Sequence, residues 1–140
     1  MTDGTKGLAE DFCRSVYEMM VGFGQTEDIG WKSHREQEPE EPAPSTLLLR
    51  SDLIWEEYME FVEASRKGDL VEVADALGDL MVVIAGTAVA YNIDLPAVLA
   101  EIQRSNLSKI DPVTGMVHKR DDGKVLKPEG WTAPEIARVM

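Results

Sequence analysis

Two groups of acidic residues lie inside stretches of chain whose other residues are those of buried helices. The acids of the first stretch, LIWEEYMEFVEA, are Glu56, Glu57 and Glu60. Those of the second stretch, LVEVADALGDLMVV, are Glu72, Asp75 and Asp79. Helix cores favour Leu or Val at such positions, and buried acids need partners. The partners of these carboxylates therefore constrain both the fold and the function.

Glu57 lies in the middle of the apolar face of the first helix. With about 100° per residue and Glu57 at zero, Leu53 falls at about −40° and Phe61 at about +40°. Glu60 falls at about −60°, and Glu56, at about −100°, lies on the margin of this face. The wheel predicts that Glu57 and Glu60 point toward a neighbouring helix.

The three acids of the second helix share one stripe. With Asp75 at zero, Glu72 falls at about +60° and Asp79 at about +40°. Val71 and Val82 lie just across, at about −40° and −20°. We therefore expect the two acidic groups to face one another.

Too few bases accompany the acids to neutralise them by salt bridges. Within residues 47–91 the only bases are Arg50, Arg66 and Lys67, and the last two end a helix beside Gly68. A buried carboxylate costs several kcal/mol unless it is paired or binds a metal. Oxygen ligands without Cys or a well-placed His predict Mg²⁺, with Mn²⁺ as the alternative. A solvent-facing, salt-bridged helix surface is the competing interpretation.

The same acids carry a resemblance to a known superfamily. Glu56-Glu57-x-x-Glu60 followed by Glu72-x-x-Asp75 resembles the EExxE and ExxD signature of the all-α nucleoside triphosphate pyrophosphohydrolases. This superfamily includes MazG, the dimeric dUTPases and phosphoribosyl-ATP pyrophosphohydrolase. The later stretches SNLSK (105–109) and KPEGW (127–131) resemble the tail of MazG-like dUTPases.

The resemblance implies hydrolysis between the α and β phosphates of a nucleotide, giving a nucleoside monophosphate and pyrophosphate. The metal ligands that it implies are Glu57, Glu60, Glu72, Asp75 and Asp79. Glu56 would orient or deprotonate the attacking water. The leading substrate is dUTP or a related deoxynucleotide, in nucleotide-pool cleansing, and phosphoribosyl-ATP is the alternative. A non-catalytic, metal-stabilised helical module is the alternative of another class.

The second acidic motif can be aligned in two registers. Many relatives write it Glu-Leu-Gly-Asp, which matches Leu77-Gly78-Asp79 but places Ala76 where the Glu belongs. Glu72-Val73-Ala74-Asp75 fits the spacing one turn earlier. Asp79 is then a ligand, a ligand of a second metal, or a partner of a ligand.

Basic residues concentrate near the end of the chain. Lys109, Lys119, Arg120, Lys124 and Lys127 lie within nineteen residues. Such a basic loop, 110–131, suits a triphosphate, although a solvated hairpin is the simpler interpretation. With the resemblance, the predicted substrate-binding residues are Asn106, Lys109, Lys124, Lys127 and Trp131. Trp131 as an anchor of the tail stays an alternative.

The fold class predicted is all-α, a bundle of four to five helices with a short hairpin-like segment near the C-terminus. The predicted helices cover residues 6–23, 45–67, 69–91 and 94–109. A turn at Asp121-Asp122-Gly123 and a short last helix, opened by a capping box at 132–135, follow. The residues expected to face inward are Leu8, Phe12, Val16, Met19 and Phe23 in the helix at 6–23, and Val98, Leu99 and Ile102 in the helix at 94–109. Ser45 and Asp94 are the expected N-caps.

Residues 25–44 form the acidic, Pro-rich part of the sequence. Pro39, Pro42 and Pro44 alternate with glutamates, so we expect a solvated loop. A second interpretation makes Trp31, Lys32 and His34 a lid over a nucleotide.

Length and charge narrow the remaining possibilities. A chain of 140 residues, 44% of them hydrophobic, suits a single domain. A net charge of −12 argues against binding to a nucleic-acid polymer. The lone Cys13, the acidic start and the short apolar run 80–93 predict a cytoplasmic protein without a membrane span. The charge-free second half of the helix at 69–91 predicts packing between subunits. The resemblance implies a homodimer or homotetramer.

Overall fold

The computed structural model describes residues 3–140, and their side chains from residue 7 onward. The helices are α1 (Asp3–Gly22), α2 (Trp31–Arg35), α3 (Pro44–Lys67), α4 (Leu70–Ala90), α5 (Leu95–Leu107) and α6 (Ile136–Val139). No strand occurs in this described range, which has one isolated bridge, between Lys119 and Val125. The predicted all-α class is confirmed.

The chain divides into two compact units. Residues 12–94 form the first, called here the hairpin unit, and residues 95–140 with the start of α1 form the second, the tail unit. The hairpin unit holds both groups of acids, and the tail unit holds the basic segment.

Helices α3 and α4 form an antiparallel pair joined by a two-residue turn. Gly68 ends α3 in the left-handed conformation, with φ of 68°, as glycine commonly does at this position. The carboxylate of Asp69 then accepts hydrogen bonds from Val71 N and Glu72 N, both at 3.1 Å, and so caps α4. The predicted boundary between these two helices, at residues 68 and 69, is confirmed, because the glycine and the aspartate there each determine a helix end.

The start of α3 differs from the prediction. Ala43 is the N-cap and makes no side-chain hydrogen bond, and Pro44 occupies the first turn. The expected cap at Ser45 is therefore wrong by two residues. Proline suits the first turn because it lacks the N–H that would have no partner there.

The buried side of α1 is rotated from the expected one. Its buried residues are Cys13, Val16, Tyr17 and Met20. Leu8 and Phe23, expected inside, are 74% and 68% exposed. The buried face includes the polar hydroxyl of Tyr17, which is tolerated there because it accepts a hydrogen bond from Ile29 N at 3.0 Å.

The acidic, Pro-rich segment contains a short helix that its composition does not predict. In α2 the ring of His34 is buried and lies 4.8 Å from that of Tyr17. Trp31 also contacts Tyr17, with ring centroids 5.7 Å apart. Arg35 binds the Asp94 carboxylate at 3.0 Å. Two of the three side chains in the lid hypothesis thus pack against α1.

In the tail unit, α5 buries polar residues where apolar ones were expected. Glu101 and Ser105 are buried, while Ile102 is 37% exposed and Val98 and Leu99 are partly buried. Ser105 donates from Oγ to the Thr132 carbonyl at 2.8 Å, which ties the last segment to α5. The inward position predicted for Ile102 is therefore wrong.

The chain after α5 contains the expected turn and last helix. Gly123 N donates to Arg120 O at 2.9 Å, and Leu126 N donates to His118 O at 2.7 Å, so the hairpin-like turn is present. The helix α6 begins at Ile136, with Glu135 as an N-cap whose side chain makes no capping hydrogen bond. The capping box is wrong because Thr132 Oγ1 accepts from Arg104 instead, at 2.7 Å.

Among residues 3–140, α4 is the one helix long and apolar enough to cross a bilayer by length and composition. It extends ten residues beyond the apolar run seen in the sequence, toward its N-terminus. Core helices of soluble proteins pass the same criterion. This helix also carries Glu72, Asp75 and Asp79, which argues against a lipid surrounding along its first half.

Candidate metal centre

Three carboxylates from the two helices of the hairpin unit meet at one point. Glu57 and Glu60 come from α3 and Asp79 comes from α4, and one oxygen of each lies within 4.8 Å of the others. The spacing of three residues places the two glutamates one above the other on α3. The antiparallel turn then brings Asp79 across from them. We call these three residues the carboxylate triad.

Glu57 is the electrostatically unfavourable member of the triad. Its Oε2 is buried and has no hydrogen-bond partner among the described residues. Burial raises the pKa of Glu57 above its ordinary value of 4.5, and the negative charges of Glu60 and Asp79 raise it further. A buried oxygen without a donor costs about 1–3 kcal/mol or more. A bound cation would remove this cost.

The other two acids of α4, Glu72 and Asp75, line an adjacent cavity of about 320 Å³. Its residues are Glu60, Glu63, Ala64, Lys67, Glu72, Asp75 and Ala76. Glu60 is common to the triad and the cavity, so the two lie side by side on the α3–α4 surface. Within the described residues, Glu72 and Asp75 are not part of the triad. Their role as ligands stays a prediction.

The cavity also contains residues that the sequence interpretation did not select. Lys67 binds Glu63 at 3.4 Å, and both side chains are exposed. Lys67 follows Glu60 by seven residues and therefore shares its face. That spacing could have identified Lys67 as the one base close to the acids.

Glu56 lies outside the triad and is exposed. Its negative charge contributes to the raised pKa of Glu57, as the weakest of the causes. Its catalytic role stays a prediction.

The two possible alignments of the second acidic motif place different acids beside Glu57, and in the structure the acid that lies there is Asp79. Leu77-Gly78-Asp79 supplies the acid that meets Glu57 and Glu60. Glu72 and Asp75 line the adjacent cavity, which they share with Glu60 of the triad. Both registers point to the same side of the helix pair, as their shared stripe predicts.

The predicted substrate-binding residues belong to the tail unit and form two local pairs. Asn106 accepts from Lys109 Nζ at 3.2 Å and donates to Gln103 at 3.1 Å. Lys127 Nζ lies 4.4 Å from the ring centroid of Trp131, whose Nε1 is buried without a hydrogen-bond partner in the described range. Lys124 is exposed. No contact among these five residues contradicts or establishes a role in binding.

Comparison with known families places this geometry in context. A family model described as phosphoribosyl-ATP pyrophosphohydrolase matches residues 31–106, which is more than half of the chain. The chain belongs to this family. This family is part of the MazG-like nucleoside triphosphate pyrophosphohydrolase superfamily, so the match confirms the resemblance of the acidic motifs. All six predicted acids lie in the matched residues, whereas the match ends at Asn106.

A curated relative of this chain is an uncharacterized protein, L479, of Acanthamoeba polyphaga mimivirus. It is 42% identical over 52 residues, which are 37% of this chain and 21% of the viral protein. The chain thus aligns with about a fifth of that relative's length.

The triad fits the divalent cation that is typical of pyrophosphohydrolases in this superfamily. All the atoms that the triad offers to a metal are carboxylate oxygens, the ligands that hard cations prefer. A bound cation would give the buried Oε2 of Glu57 the partner that it lacks among the described residues. Charge supports the same conclusion, because two carboxylates raise the pKa of a third.

Proposed function

We propose that this protein is a metal-dependent pyrophosphohydrolase that cleaves a nucleotide between its α and β phosphates. Glu57, Glu60 and Asp79 would hold Mg²⁺ or Mn²⁺, and Glu72 and Asp75 would add ligands from the neighbouring cavity. The observation that carries the proposal is the buried oxygen of Glu57 without a partner, in a chain of the pyrophosphohydrolase family.

The reaction adds water across the phosphoanhydride. The oxygen of water bonds to phosphorus, the bridging P–O bond breaks, and the products are a nucleoside monophosphate and pyrophosphate. A bound divalent cation supplies Lewis-acid stabilisation of charge on the phosphate oxygens. Glu56, on the exposed margin beside Glu57, accepts the proton that water loses. Glu57 and Glu60 keep their orientation because α3 fixes them one turn apart.

Two substrates follow from two observations. The family model carries the description phosphoribosyl-ATP pyrophosphohydrolase, which favours phosphoribosyl-ATP. The stretches SNLSK and KPEGW, most of which lie beyond the matched residues, resemble the tail of dUTPase-like members and favour dUTP or a related deoxynucleotide. In either case Asn106, Lys109, Lys124, Lys127 and Trp131 would contact the nucleotide. The chemistry at the anhydride is the same.

An assembly of two or four copies is the second part of the proposal. Large apolar side chains are exposed along α3 and α4, namely Leu48, Leu49, Trp55, Tyr58, Met59, Leu70, Val71, Leu77, Met81 and Ile84. A soluble monomer rarely exposes so large an apolar patch. A second copy, packed helix to helix, would cover it. We propose a cytoplasmic homodimer or homotetramer that binds no nucleic-acid polymer and no membrane.

The test of the reaction is pyrophosphate release from a panel of substrates. The panel holds phosphoribosyl-ATP and the ribo- and deoxynucleoside triphosphates, each with Mg²⁺, Mn²⁺ or a chelator. We expect metal-dependent release from one substrate well above the others. The Glu57→Gln variant should lose at least about a hundredfold in activity, because ligand loss exceeds the 10- to 100-fold cost of disturbing outer contacts.

The matched control is Glu18→Gln, which changes an exposed acid of α1 and should keep wild-type activity. Release that persists in chelator would contradict the metal-dependent mechanism. Metal binding without release from any substrate would instead support the non-catalytic, metal-stabilised module.

A further inference from the structure

Arg50 is a buried charge that the proposed reaction does not use. It lies on α3 and is 6% exposed, and burial lowers the pKa of its guanidinium. No described carboxylate lies within ion-pair distance of it, and its hydrogen-bond partners, Thr87 and the Val83 carbonyl, are neutral. A buried guanidinium in such surroundings is costly, and an apolar side chain of similar volume would often be at least as stable. The charge therefore calls for an explanation other than packing.

The guanidinium binds α4 through a closed set of hydrogen bonds. Nε of Arg50 donates to Thr87 Oγ1 at 3.3 Å, and Nη2 donates to the Val83 carbonyl at 3.1 Å. The Thr87 hydroxyl in turn donates to the same carbonyl at 2.7 Å. Nε and Nη2 of Arg50 thus bind acceptors from residues that lie one turn apart on α4. Sliding or rotating α4 on α3 would break them.

Gly86 provides the space for this contact. A Cβ at Gly86 would overlap Nη2 of Arg50 and would lie 3.3 Å from both its Cζ and the Sδ of Met20. Any larger residue at position 86 would push the guanidinium from its acceptors. We call Arg50, Val83, Gly86 and Thr87 the arginine clamp.

The clamp lies on the same helix faces as the carboxylate triad. Arg50 precedes Glu57 by seven residues, which places it at about +20° on the wheel and about 11 Å away along α3. On α4, Val83 and Thr87 follow Asp79 by one and two turns. The turn at Gly68 joins the helices at one end of the triad, and the clamp joins them at the other.

We propose that Arg50 is a positioning residue for the metal centre: its clamp on α4 fixes the register that brings Asp79 opposite Glu57 and Glu60. The proposal rests on the metal site of the proposed function. Apolar contacts tolerate small shifts between helices, whereas directional donors specify one arrangement. The triad needs that precision because its oxygens must converge on one ion.

The decisive variant is Arg50→Met, which removes the donors and keeps much of the volume. Val83 and Thr87 still bind each other in this variant, so no buried group loses its only partner. We expect unchanged helix content by circular dichroism and a melting temperature equal to or above the wild type. Mn²⁺ affinity, measured by electron paramagnetic resonance of the free ion, should fall about tenfold, the usual effect of losing an orienting contact.

Two further variants test the geometry. Thr87→Val removes one acceptor and should weaken Mn²⁺ binding less than Arg50→Met. Arg50→Lys keeps the charge but lacks the planar fork, so it should restore little of the affinity. Affinity fully rescued by lysine would overturn the proposal, since charge alone would then explain the role of Arg50.

The matched control is Val89→Ala, a buried change on α4 outside the clamp. It should lower the melting temperature and leave Mn²⁺ affinity unchanged. An equal loss of affinity in Val89→Ala, or wild-type affinity in Arg50→Met, would overturn the proposal.

A wild-type protein that binds no Mn²⁺ or Mg²⁺ would contradict the proposed function instead. The clamp is then tested by the crystal structure of metal-free Arg50→Met. We expect the Asp79 carboxylate to move more than 4.8 Å from Glu57 and Glu60, the limit within which the triad lies in the wild type. A triad that stays within that limit would overturn the positioning role.

Discussion

At the scale of single residues, Glu57 places the function of the protein in conflict with its stability. Its raised pKa means that the folded state binds a proton more tightly than the unfolded state. Stability of the metal-free protein therefore falls as pH rises above about 4.5, the ordinary value for glutamate. A cation bound at the triad would offset this cost.

Glu57→Gln should therefore raise the melting temperature of the chelator-treated protein by a few degrees at pH 7. Glutamine keeps the shape and removes the charge that Glu60 and Asp79 oppose. Thermal unfolding between pH 5 and 8 measures the effect, with Glu18→Gln as the control. Added Mg²⁺ should stabilise the wild type more than the variant. A lower melting temperature in chelator would show that the carboxylate is stabilising as it stands.

Glu56 is expected to separate catalysis from metal binding. It is exposed and lies outside the carboxylate triad, so Glu56→Gln should leave Mn²⁺ affinity unchanged. Turnover should fall by about 10²–10⁴, the range for loss of a general base. Steady-state kinetics at saturating metal measures this effect. Loss of metal affinity in the variant would instead make Glu56 a ligand.

The carboxylate triad was largely accessible from the sequence, and the arginine clamp was not. Wheel positions place Glu57 in an apolar face, and in the structure Glu57 is partly buried, with its Oε2 fully buried. Arg50 lies on the same face, but the sequence counts it only as one of three bases, too few for the acids. Its true partners are a backbone carbonyl and a hydroxyl of α4, which no charge pattern reveals.

At the scale of helices, Glu101 holds the end of the chain on α5. Its buried carboxylate accepts from Arg104 at 2.6 Å, from Arg138 at 3.2 Å and from Glu135 N at 3.2 Å. The hydrogen bond from Arg104, with that from Glu135, lowers the pKa of Glu101 to about 2. The stabilisation is therefore present above about 4.5 and is lost as pH falls toward 2.

Glu101→Gln should lower the melting temperature by several degrees at pH 7 and weaken the acid dependence between pH 4.5 and 2. Amide exchange of residues 132–139 should accelerate, because α6 loses its attachment to α5. Glu135→Gln is the control, since that acid is exposed and bonds Arg138 only at the surface. An unchanged acid dependence in Glu101→Gln would assign the effect to another carboxylate.

Sequence reasoning missed this element because the partners are distant in the chain. The spacing of Val98, Leu99 and Ile102 predicts an apolar face for α5, yet Glu101 and Ser105 occupy the buried side. Apart from Arg104, which follows Glu101 by three residues, their partners lie 27 to 37 residues later. The helices themselves were predicted well, because Gly68 and Asp69 mark one boundary by local chemistry. The short α2 was missed since its stability comes from Tyr17, on another helix.

At the scale of the whole molecule, the exposed apolar surface of α3 and α4 predicts assembly. Leu77, Met81 and Ile84 follow each other at helical spacing on α4 and are all exposed. Met81→Glu should therefore shift the protein to a smaller species in light scattering coupled to size-exclusion chromatography. A charge in a packed apolar interface is costly because it loses its water.

The control for Met81→Glu is Val113→Glu, at a residue that is 91% exposed in the tail unit. It should leave the oligomeric state unchanged. A wild-type protein that is monomeric at all concentrations tested would contradict the proposed assembly.

The two-residue turn between α3 and α4 also determines how early the centre can form. All three triad residues belong to this one helical hairpin, so the contacts that unite them are close in sequence. Such local contacts form fast, because little loop entropy is lost in closing them. A nascent chain that has emerged as far as residue 90 already contains all three residues of the triad. A cation that binds the triad would therefore be able to bind before the segments after residue 90 fold.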